Sequence, residues 1–192
     1  MNEIFKENGC IKLDSFLDEQ TTNTFAAYFT NKVRRGEWTS SSKDIWSKWA
    51  YYADPLAEVL LAGAKNRVEE ILDLQLEPTY TYARIYQENE DLPPHKDRDS
   101  CEISLTISIA YVGEVWPFWV QYKDKDPMKF MLNPGDAVLY QGCEASHWRH
   151  VLPVGASAMQ IMLHYVDKNG SNLSNKLDVR PDLGYPSSRL DL

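Results

Sequence analysis

Residues 93–112 read PPHKDRDSCEISLTISIAYV, which joins a polar histidine and aspartate pair to a strongly alternating run of apolar and hydroxyl side chains. Alternation with a period of two over residues 102–112 predicts a half-buried β-strand. His95 and Asp97 lie two positions apart just before this strand, so both side chains share one face where the backbone is extended. The stretch therefore predicts a β-fold with polar groups on an inner face.

The rest of the chain places helices before this stretch and strands around it. A short strand is expected near residues 10–13 and helices over residues 18–36 and 54–74, while the two tryptophans within residues 44–50 have helical spacing. Further strands are expected over residues 79–86, 117–122, 129–132, 137–140, 147–152 and 158–166. This order is typical of a mainly β jelly roll with N-terminal helices packed on one sheet. We expect one domain, with a helical layer over 1–77, a jelly-roll core over 78–167 and an irregular tail over 168–192.

Composition excludes several other classes of protein. The chain has 192 residues, 43% of them hydrophobic, which is typical of a globular domain rather than a disordered one. A formal net charge of -8 argues against a generally basic nucleic-acid surface. The three cysteines lack CxxC spacing, and the N-terminus is too polar for a signal peptide. A cytoplasmic protein without membrane spans is therefore expected.

A third candidate ligand follows about fifty residues after the first two, in the sequence SHWRH of residues 146–150. Two histidines and one carboxylate form the facial ligand set of non-haem Fe(II), which leaves open positions for a co-substrate and oxygen. His147 and His150 face opposite sides of a regular strand, so only one of them is expected to be the ligand. We favour His147, because Arg149 then also points inward, where a carboxylate of a bound ligand can pair with it.

Together these residues resemble the Fe(II)- and 2-oxoglutarate-dependent dioxygenases, in particular the prolyl-hydroxylase-like branch. The resemblance runs from KENGCIKLDSFL through ARIYQENEDLPPHKD and LNPGDAVLYQG to HWRHVLPV and MLHYVD. The last two segments are similar to those of a bacterial and phage group with an HWRE-type motif. In this chain His150 stands at the position where that group has glutamate. The resemblance implies a double-stranded β-helix in which His95, Asp97 and His147 hold Fe(II), and 2-oxoglutarate and O2 are consumed with release of succinate and CO2.

One departure from the family concerns the outer carboxylate of 2-oxoglutarate. The family commonly binds it with a cation about ten residues after the distal histidine, but residues 155–160 read GASAMQ. Either Arg149 or Arg84 takes this role, or the protein does not use 2-oxoglutarate in the usual way. The resemblance makes Tyr86 and Tyr111 further candidates for binding the co-substrate, each equally well explained as an aromatic residue of the sheet core. Gln160 shares a strand face with His164 and is a candidate if that face points inward.

The sequence leaves three readings open. The first is an oxygenase that hydroxylates a peptidyl side chain or a small metabolite. The second is a jelly-roll metal protein of another reaction type, and the third is a non-catalytic binding module, which the missing strand cation favours. His164 is expected to support the ligands rather than bind metal, and the aromatic run of residues 116–119 is expected to be sheet core. Oligomeric state cannot be read from the sequence.

Overall fold

The computed structural model describes residues 1–37 and 49–184. Its helices are α1 (Glu3–Asn8), α2 (Glu19–Arg34) and α3 (Pro55–Leu72), with short 3-10 turns at Asp99–Cys101 and Leu173–Val179. Its strands are β1 (Cys10–Leu13), β2 (Trp49–Tyr52), β3 (Leu76–Gln87), β4 (Leu92–His95), β5 (Ile103–Val112), β6 (Phe118–Tyr122), β7 (Met128–Phe130), β8 (Ala137–Gln141), β9 (Ala145–Arg149) and β10 (Ser157–Asp167). In these described ranges, no helix has the length and apolar character needed to cross a membrane.

Side-chain caps fix where the two long helices begin. Asp18 accepts a hydrogen bond from the backbone N–H of Thr21 at the start of α2. Asp54 caps α3 by accepting from Leu56 and Ala57, and Pro55 occupies the first helical turn. Such caps satisfy backbone donors that the first turn leaves without a partner, which stabilises a helix by about 1 kcal/mol.

The strands form two antiparallel sheets, as expected for a double-stranded β-helix. The larger sheet has the order β1-β8-β5-β10-β3-β2, and the smaller sheet has the order β4-β9-β6-β7. Helices α2 and α3 cover the outer face of the larger sheet, where their apolar side chains join those of β3, β5, β8 and β10 in one core. The predicted fold class, a mainly β jelly roll with helices packed on one sheet, is confirmed.

Strand β5 shows how the alternating sequence builds both faces of the larger sheet. Its isoleucine and leucine side chains (Ile103, Leu105, Ile107 and Ile109) are fully buried in the core beneath the helices. The intervening hydroxyl side chains (Ser104, Thr106 and Ser108) belong to the opposite face, which looks toward the smaller sheet. The polar inner face predicted from the sequence therefore lies between the two sheets.

The N-terminal and C-terminal regions differ from the sequence-based expectation. Trp49 belongs to strand β2 rather than to a helix, and residues 44–48 of that expected helix lie outside the described residues. Strands β1 and β2 extend the larger sheet, so residues 1–77 are not a purely helical layer. Residues 168–184, which we call the C-terminal segment, contain the turn Leu173–Val179 and two buried charged residues, Asp178 and Arg180. Polar composition alone suggested an irregular tail there.

Candidate metal centre

Two histidines face each other across neighbouring strands of the smaller sheet. His95 at the end of β4 is the Cα partner of His147 on β9, and their ring centroids lie 4.2 Å apart. Nδ1 of His95 lies 2.8 Å from the carbonyl oxygen of Pro93, and Nδ1 of His147 lies 3.1 Å from that of Ala145. A carbonyl only accepts, so Nδ1 carries the proton and Nε2 presents its lone pair, as a metal ligand requires.

Asp97 completes a group of three donors. Its Oδ1 lies 3.6 Å from Nε2 of His95 and 3.5 Å from Nε2 of His147, and all three ligand atoms lie within 4.8 Å of one another. Burial, followed by the neighbouring His147, lowers the pKa of His95. Burial alone would raise the pKa of Asp97, but its contact with His147 and the other nearby histidines lower it overall. The two imidazole nitrogens and the one carboxylate form the facial donor set that fits Fe(II).

A hydroxyl and a further histidine support Asp97 from behind. Oγ of Ser104 lies 3.2 Å from Oδ2 of Asp97 and 2.9 Å from Nδ1 of His164. Burial lowers the pKa of His164 to about 4, so its ring is neutral near pH 7. When Nδ1 of His164 donates to Ser104, the one serine hydroxyl proton is shared between Oδ2 of Asp97 and the carbonyl oxygen of Cys101, which lies 3.0 Å away. The hydroxyl thereby ties the carboxylate to the turn that follows it. The alternation of hydroxyl and apolar side chains along β5 is the sequence signal that could have placed Ser104 on the inner face, near Asp97.

Gly142 approaches the same loop closely. A Cβ atom at this position would lie 2.1 Å from the carbonyl oxygen of Cys101 and 2.8 Å from Oδ2 of Asp97. The backbone N–H of Asp97 donates to the carbonyl oxygen of Gly142 at 2.9 Å. Only glycine lets the segment before β9 press against the aspartate loop in this way.

The three donors open into a cavity of about 530 Å³ between the two sheets. Besides the donors, its wall is formed mainly by aromatic, cationic and polar side chains from β2, β3, β5, β6, β8 and β10 and from the loop around Asp97. They include Tyr52, Tyr80, Tyr82, Arg84, Tyr86, Lys96, Arg98, Cys101, Thr106, Phe118, Tyr140, Gln160, Met162 and His164. A cavity of this size has room for a metal-bound co-substrate together with part of a substrate.

Arg149 is not one of the side chains that line this cavity. It lies behind the lining residue Phe118, in a cluster with Trp116 and Phe118 that we call the cavity floor. Its guanidinium is sandwiched between the rings of Trp116 and Phe118, each with its centroid 4.9 Å away, and it donates to the carbonyl oxygen of Trp116. The residue is 2% exposed, and burial lowers its pKa to about 10, while Tyr86 and Tyr140 act in the opposite direction. Among the described residues it forms no salt bridge, and its Nε has no hydrogen-bond partner.

The other predicted co-substrate residues divide between the cavity and its surroundings. Arg84 on β3 and Gln160 on β10 are Cα partners, and both line the cavity. Tyr86 also lines it, whereas Tyr111 packs outside the wall against a small apolar cluster. His150 is exposed and follows the end of β9, away from the donors.

The aromatic run of residues 116–119 serves two faces of the smaller sheet. Trp116 and Phe118 are buried on the inner face beside Arg149, as described above. Trp119 lies on the outer face and stacks on Trp148 with ring centroids 6.0 Å apart and an angle of 8° between the planes. The inner pair therefore contributes to the cavity floor as well as to the core.

Comparison with known proteins relates the fold to solved structures. No family model and no curated protein matches the chain. A prolyl-4-hydroxylase from Pseudomonas putida is similar, with a TM-score of 0.70 and 17% identity over 86% of this chain and 96% of that one. The chain has the fold of the Fe(II)/2-oxoglutarate oxygenases.

Two further structures share this fold with different bound partners. HygX from Streptomyces hygroscopicus, solved with nickel and 2-oxoglutarate, has a TM-score of 0.66 and 10% identity over 86% of this chain and 85% of that one. A prolyl hydroxylase from Trichoplax adhaerens, in complex with a hypoxia inducible factor oxygen degradation domain peptide, has a TM-score of 0.67 and 14% identity over 89% of both chains. At these identities the similarity establishes the fold, and function rests on the site itself.

Proposed function

We propose that this protein is an Fe(II)- and 2-oxoglutarate-dependent oxygenase. The observation that carries the proposal is the convergence of two histidine Nε2 atoms and one carboxylate oxygen, all within 4.8 Å, at the mouth of a cavity in this fold. In this proposal His95, Asp97 and His147 would hold the metal, and the cavity that they line would admit the co-substrate. With 2-oxoglutarate and O2, the bound iron supplies the oxidation of a substrate C–H group with release of succinate and CO2.

We assign the outer carboxylate of 2-oxoglutarate to Arg149. A guanidinium without an acidic partner in the interior is costly, and the carboxylate of a ligand removes that cost. The rings of Trp116 and Phe118, whose centroids each lie 4.9 Å from the guanidinium carbon, restrict its movement before the ligand arrives. Tyr86 and Gln160, both on the wall above, have hydroxyl and amide groups able to donate to the same carboxylate. Arg84 is the competing assignment, because it lines the cavity directly.

We propose a peptidyl side chain or a small metabolite as the substrate. The similar prolyl hydroxylase from Trichoplax adhaerens binds a peptide fragment, which supports a peptidyl substrate by analogy of fold only. The wall contains several tyrosine rings (Tyr52, Tyr80 and Tyr82), and Tyr52 and Tyr80 stack with centroids 4.9 Å apart. Such rings bind apolar or planar groups without selecting a charge. Placement within the branch that has the HWRE-type motif is part of the same proposal.

A metal-binding protein that does not use 2-oxoglutarate is the alternative. It is favoured by the inner face of β10, where Ala158 is the Cα partner of both Tyr86 and Tyr111 and packs in a small apolar cluster. The family commonly has a cation on this strand, and here the strand contributes an alanine methyl group and the amide of Gln160. The two readings differ in whether 2-oxoglutarate binds.

The deciding experiment is an anaerobic titration of the Fe(II)-loaded protein with 2-oxoglutarate. We expect a weak visible charge-transfer band for the wild type and none for Asp97→Ala, which should lose metal while keeping its fold. Asp99→Ala is the matched control, because Asp99 is an exposed carboxylate two residues after Asp97 that does not line the cavity. Iron bound without any band in the wild type would favour the alternative, and unchanged iron content in Asp97→Ala would remove Asp97 from the site.

A further inference from the structure

The C-terminal segment returns to the metal centre after the last strand. Its turn Leu173–Val179 lies against β3 and against the turn Asp99–Cys101, which directly follows the Asp97 loop. Asp178 in this turn is 5% exposed and carries a carboxylate into the protein. The proposed chemistry does not use this carboxylate, so a different reason is needed for its burial at this place.

Asp178 accepts hydrogen bonds from three residues in two parts of the chain. Nη1 and Nη2 of Arg98 donate to its two oxygens at 2.8 Å and 2.9 Å, which is the bidentate geometry of a strong guanidinium–carboxylate pair. Oγ of Ser100 donates at 2.8 Å, and the hydroxyl of Tyr52 donates as well. Four hydrogen bonds therefore fix one carboxylate, and two of them come from the residue that follows Asp97.

The backbone around Asp178 is strained where the carboxylate meets Arg98, Ser100 and Tyr52. Leu177, Asp178 and Val179 have φ angles of +56°, +51° and +62°, a left-handed conformation that side chains with a Cβ disfavour. Such strain persists only where the surroundings overdetermine it, and it clusters at functional sites. A second ion pair fastens the segment two residues later, which makes it the other anchor of the segment besides Asp178. Nη2 of Arg180 lies 2.5 Å from Oε1 of Glu58 on α3.

One of the three candidate ligands has its backbone outside the paired strands. His95 and His147 sit in paired strands, whereas Asp97 lies beyond the end of β4. Its loop is fixed by the hydrogen bond from its own N–H to Gly142 and by two donors to the carbonyl oxygen of Arg98, the N–H of Cys101 at 2.8 Å and Sγ of Cys143 at 3.3 Å. The side chain of Arg98 reaches out to Asp178, so the C-terminal segment is a further support for this loop.

We propose that Asp178 is a positioning residue of the metal centre, which acts through Arg98 to hold the Asp97 carboxylate convergent with the two histidines. The inference rests on the metal-binding part of the proposed function and is independent of 2-oxoglutarate. Partners that orient metal ligands from outside the coordination sphere typically change metal affinity by about 10- to 100-fold when they are replaced. A role limited to fastening the C-terminal segment would leave metal affinity unchanged in a folded variant.

The test is a titration of the metal-free full chain with Mn(II), which replaces Fe(II) without reacting with oxygen. Binding is measured as the loss of the EPR signal of free Mn(II). We expect Asp178→Asn to weaken Mn(II) binding by about 10- to 100-fold at a temperature well below its melting transition. Arg98→Lys keeps the charge but loses the two-pronged contact, so it should weaken binding in the same direction. Because Arg98 is 42% exposed, this second variant keeps the test valid where Asp178→Asn fails to fold.

Glu58→Gln is the matched control, because it removes a buried carboxylate from the other anchor of the same segment and does not touch Arg98. Its Mn(II) affinity should stay within about twofold of the wild type, well short of the change expected for a ligand-orienting partner. Equal losses in Glu58→Gln and Asp178→Asn would overturn the assignment, since docking of the segment would then be what matters. Unchanged affinity in folded Asp178→Asn and Arg98→Lys would overturn it too, whereas a wild type that binds no Mn(II) would overturn the metal site itself.

Discussion

The C-terminal segment and the cavity floor both involve guanidinium groups, but only the guanidinium groups at the segment are paired with carboxylates. Arg98 pairs with Asp178, and Arg180 pairs with Glu58 in an ion pair whose two side chains are each 1% exposed. Arg149 on the floor is equally buried, yet among the described residues it has rings and one carbonyl oxygen around it and no acid. The paired arginines are neutralised within the protein, whereas we propose that the buried cation without an acid pairs with the carboxylate of a ligand.

The largest effect is expected where a buried pair is broken. Glu58→Gln leaves the charge of Arg180 in the interior without its counter-charge, and breaking such a pair costs about 3–5 kcal/mol. Urea unfolding of the two proteins should show this loss of unfolding free energy. A loss below about 1 kcal/mol, as found for exposed pairs, would mean that water reaches Arg180 in solution.

The cavity floor should respond in the opposite way. Arg149→Met removes a buried charge that has no acidic partner, so the unfolding free energy of the ligand-free protein should not fall. Binding of 2-oxoglutarate should weaken by roughly 30- to 1,000-fold, the equivalent of about 2–4 kcal/mol, because the ligand loses its counter-charge.

Thermal unfolding of the ligand-free protein measures the predicted stability. Calorimetric titration of the Fe(II)-loaded protein under anaerobic conditions measures the predicted loss of 2-oxoglutarate binding. Arg84→Met is the comparison, and it should affect 2-oxoglutarate binding much less. The reverse order would assign the outer carboxylate to Arg84, and a strongly destabilised Arg149→Met would show that the floor is structural.

The same comparison shows what the sequence reveals and what it hides. Alternation along residues 145–149 is local, so it placed His147 and Arg149 on one face, and both are buried while His150 is exposed. The pair of Asp178 and Arg98 spans 80 residues and leaves no periodic trace, because each partner looks like an ordinary surface charge in its own neighbourhood. Strand β2 was missed for a related reason, since its pairing with β3 is also a long-range contact that overrides local helical spacing.

A pH series sharpens the distinction at Asp178. Burial would raise the pKa of this carboxyl, but the hydrogen bonds from Arg98, Tyr52 and Ser100 outweigh burial and lower it overall. A lowered folded-state pKa adds stability that is fully present above the unfolded value, about 3.9, and is lost as the pH falls through the folded value.

The difference in unfolding free energy between the wild type and Asp178→Asn should therefore be constant from pH 5 to 8 and narrow only below about pH 4. Urea unfolding at each pH measures this difference. A gap that already narrows near pH 6 would assign the titration to another group.

The smallest effect is expected at Val179, which is 65% exposed and has a φ of +62°. A β-branched residue in the left-handed region costs roughly 1–2 kcal/mol, and glycine adopts the same backbone without that strain. Glycine also gives the unfolded chain more freedom, which takes back part of the gain. Val179→Gly should therefore stabilise the protein by about 0.5–1 kcal/mol in urea unfolding, while Mn(II) affinity stays unchanged because Asp178 keeps its position. A destabilised Val179→Gly would indicate that the valine side chain makes a contact in solution that outweighs the backbone strain. The left-handed turn would then be stabilised by Val179 as well as by the carboxylate of Asp178.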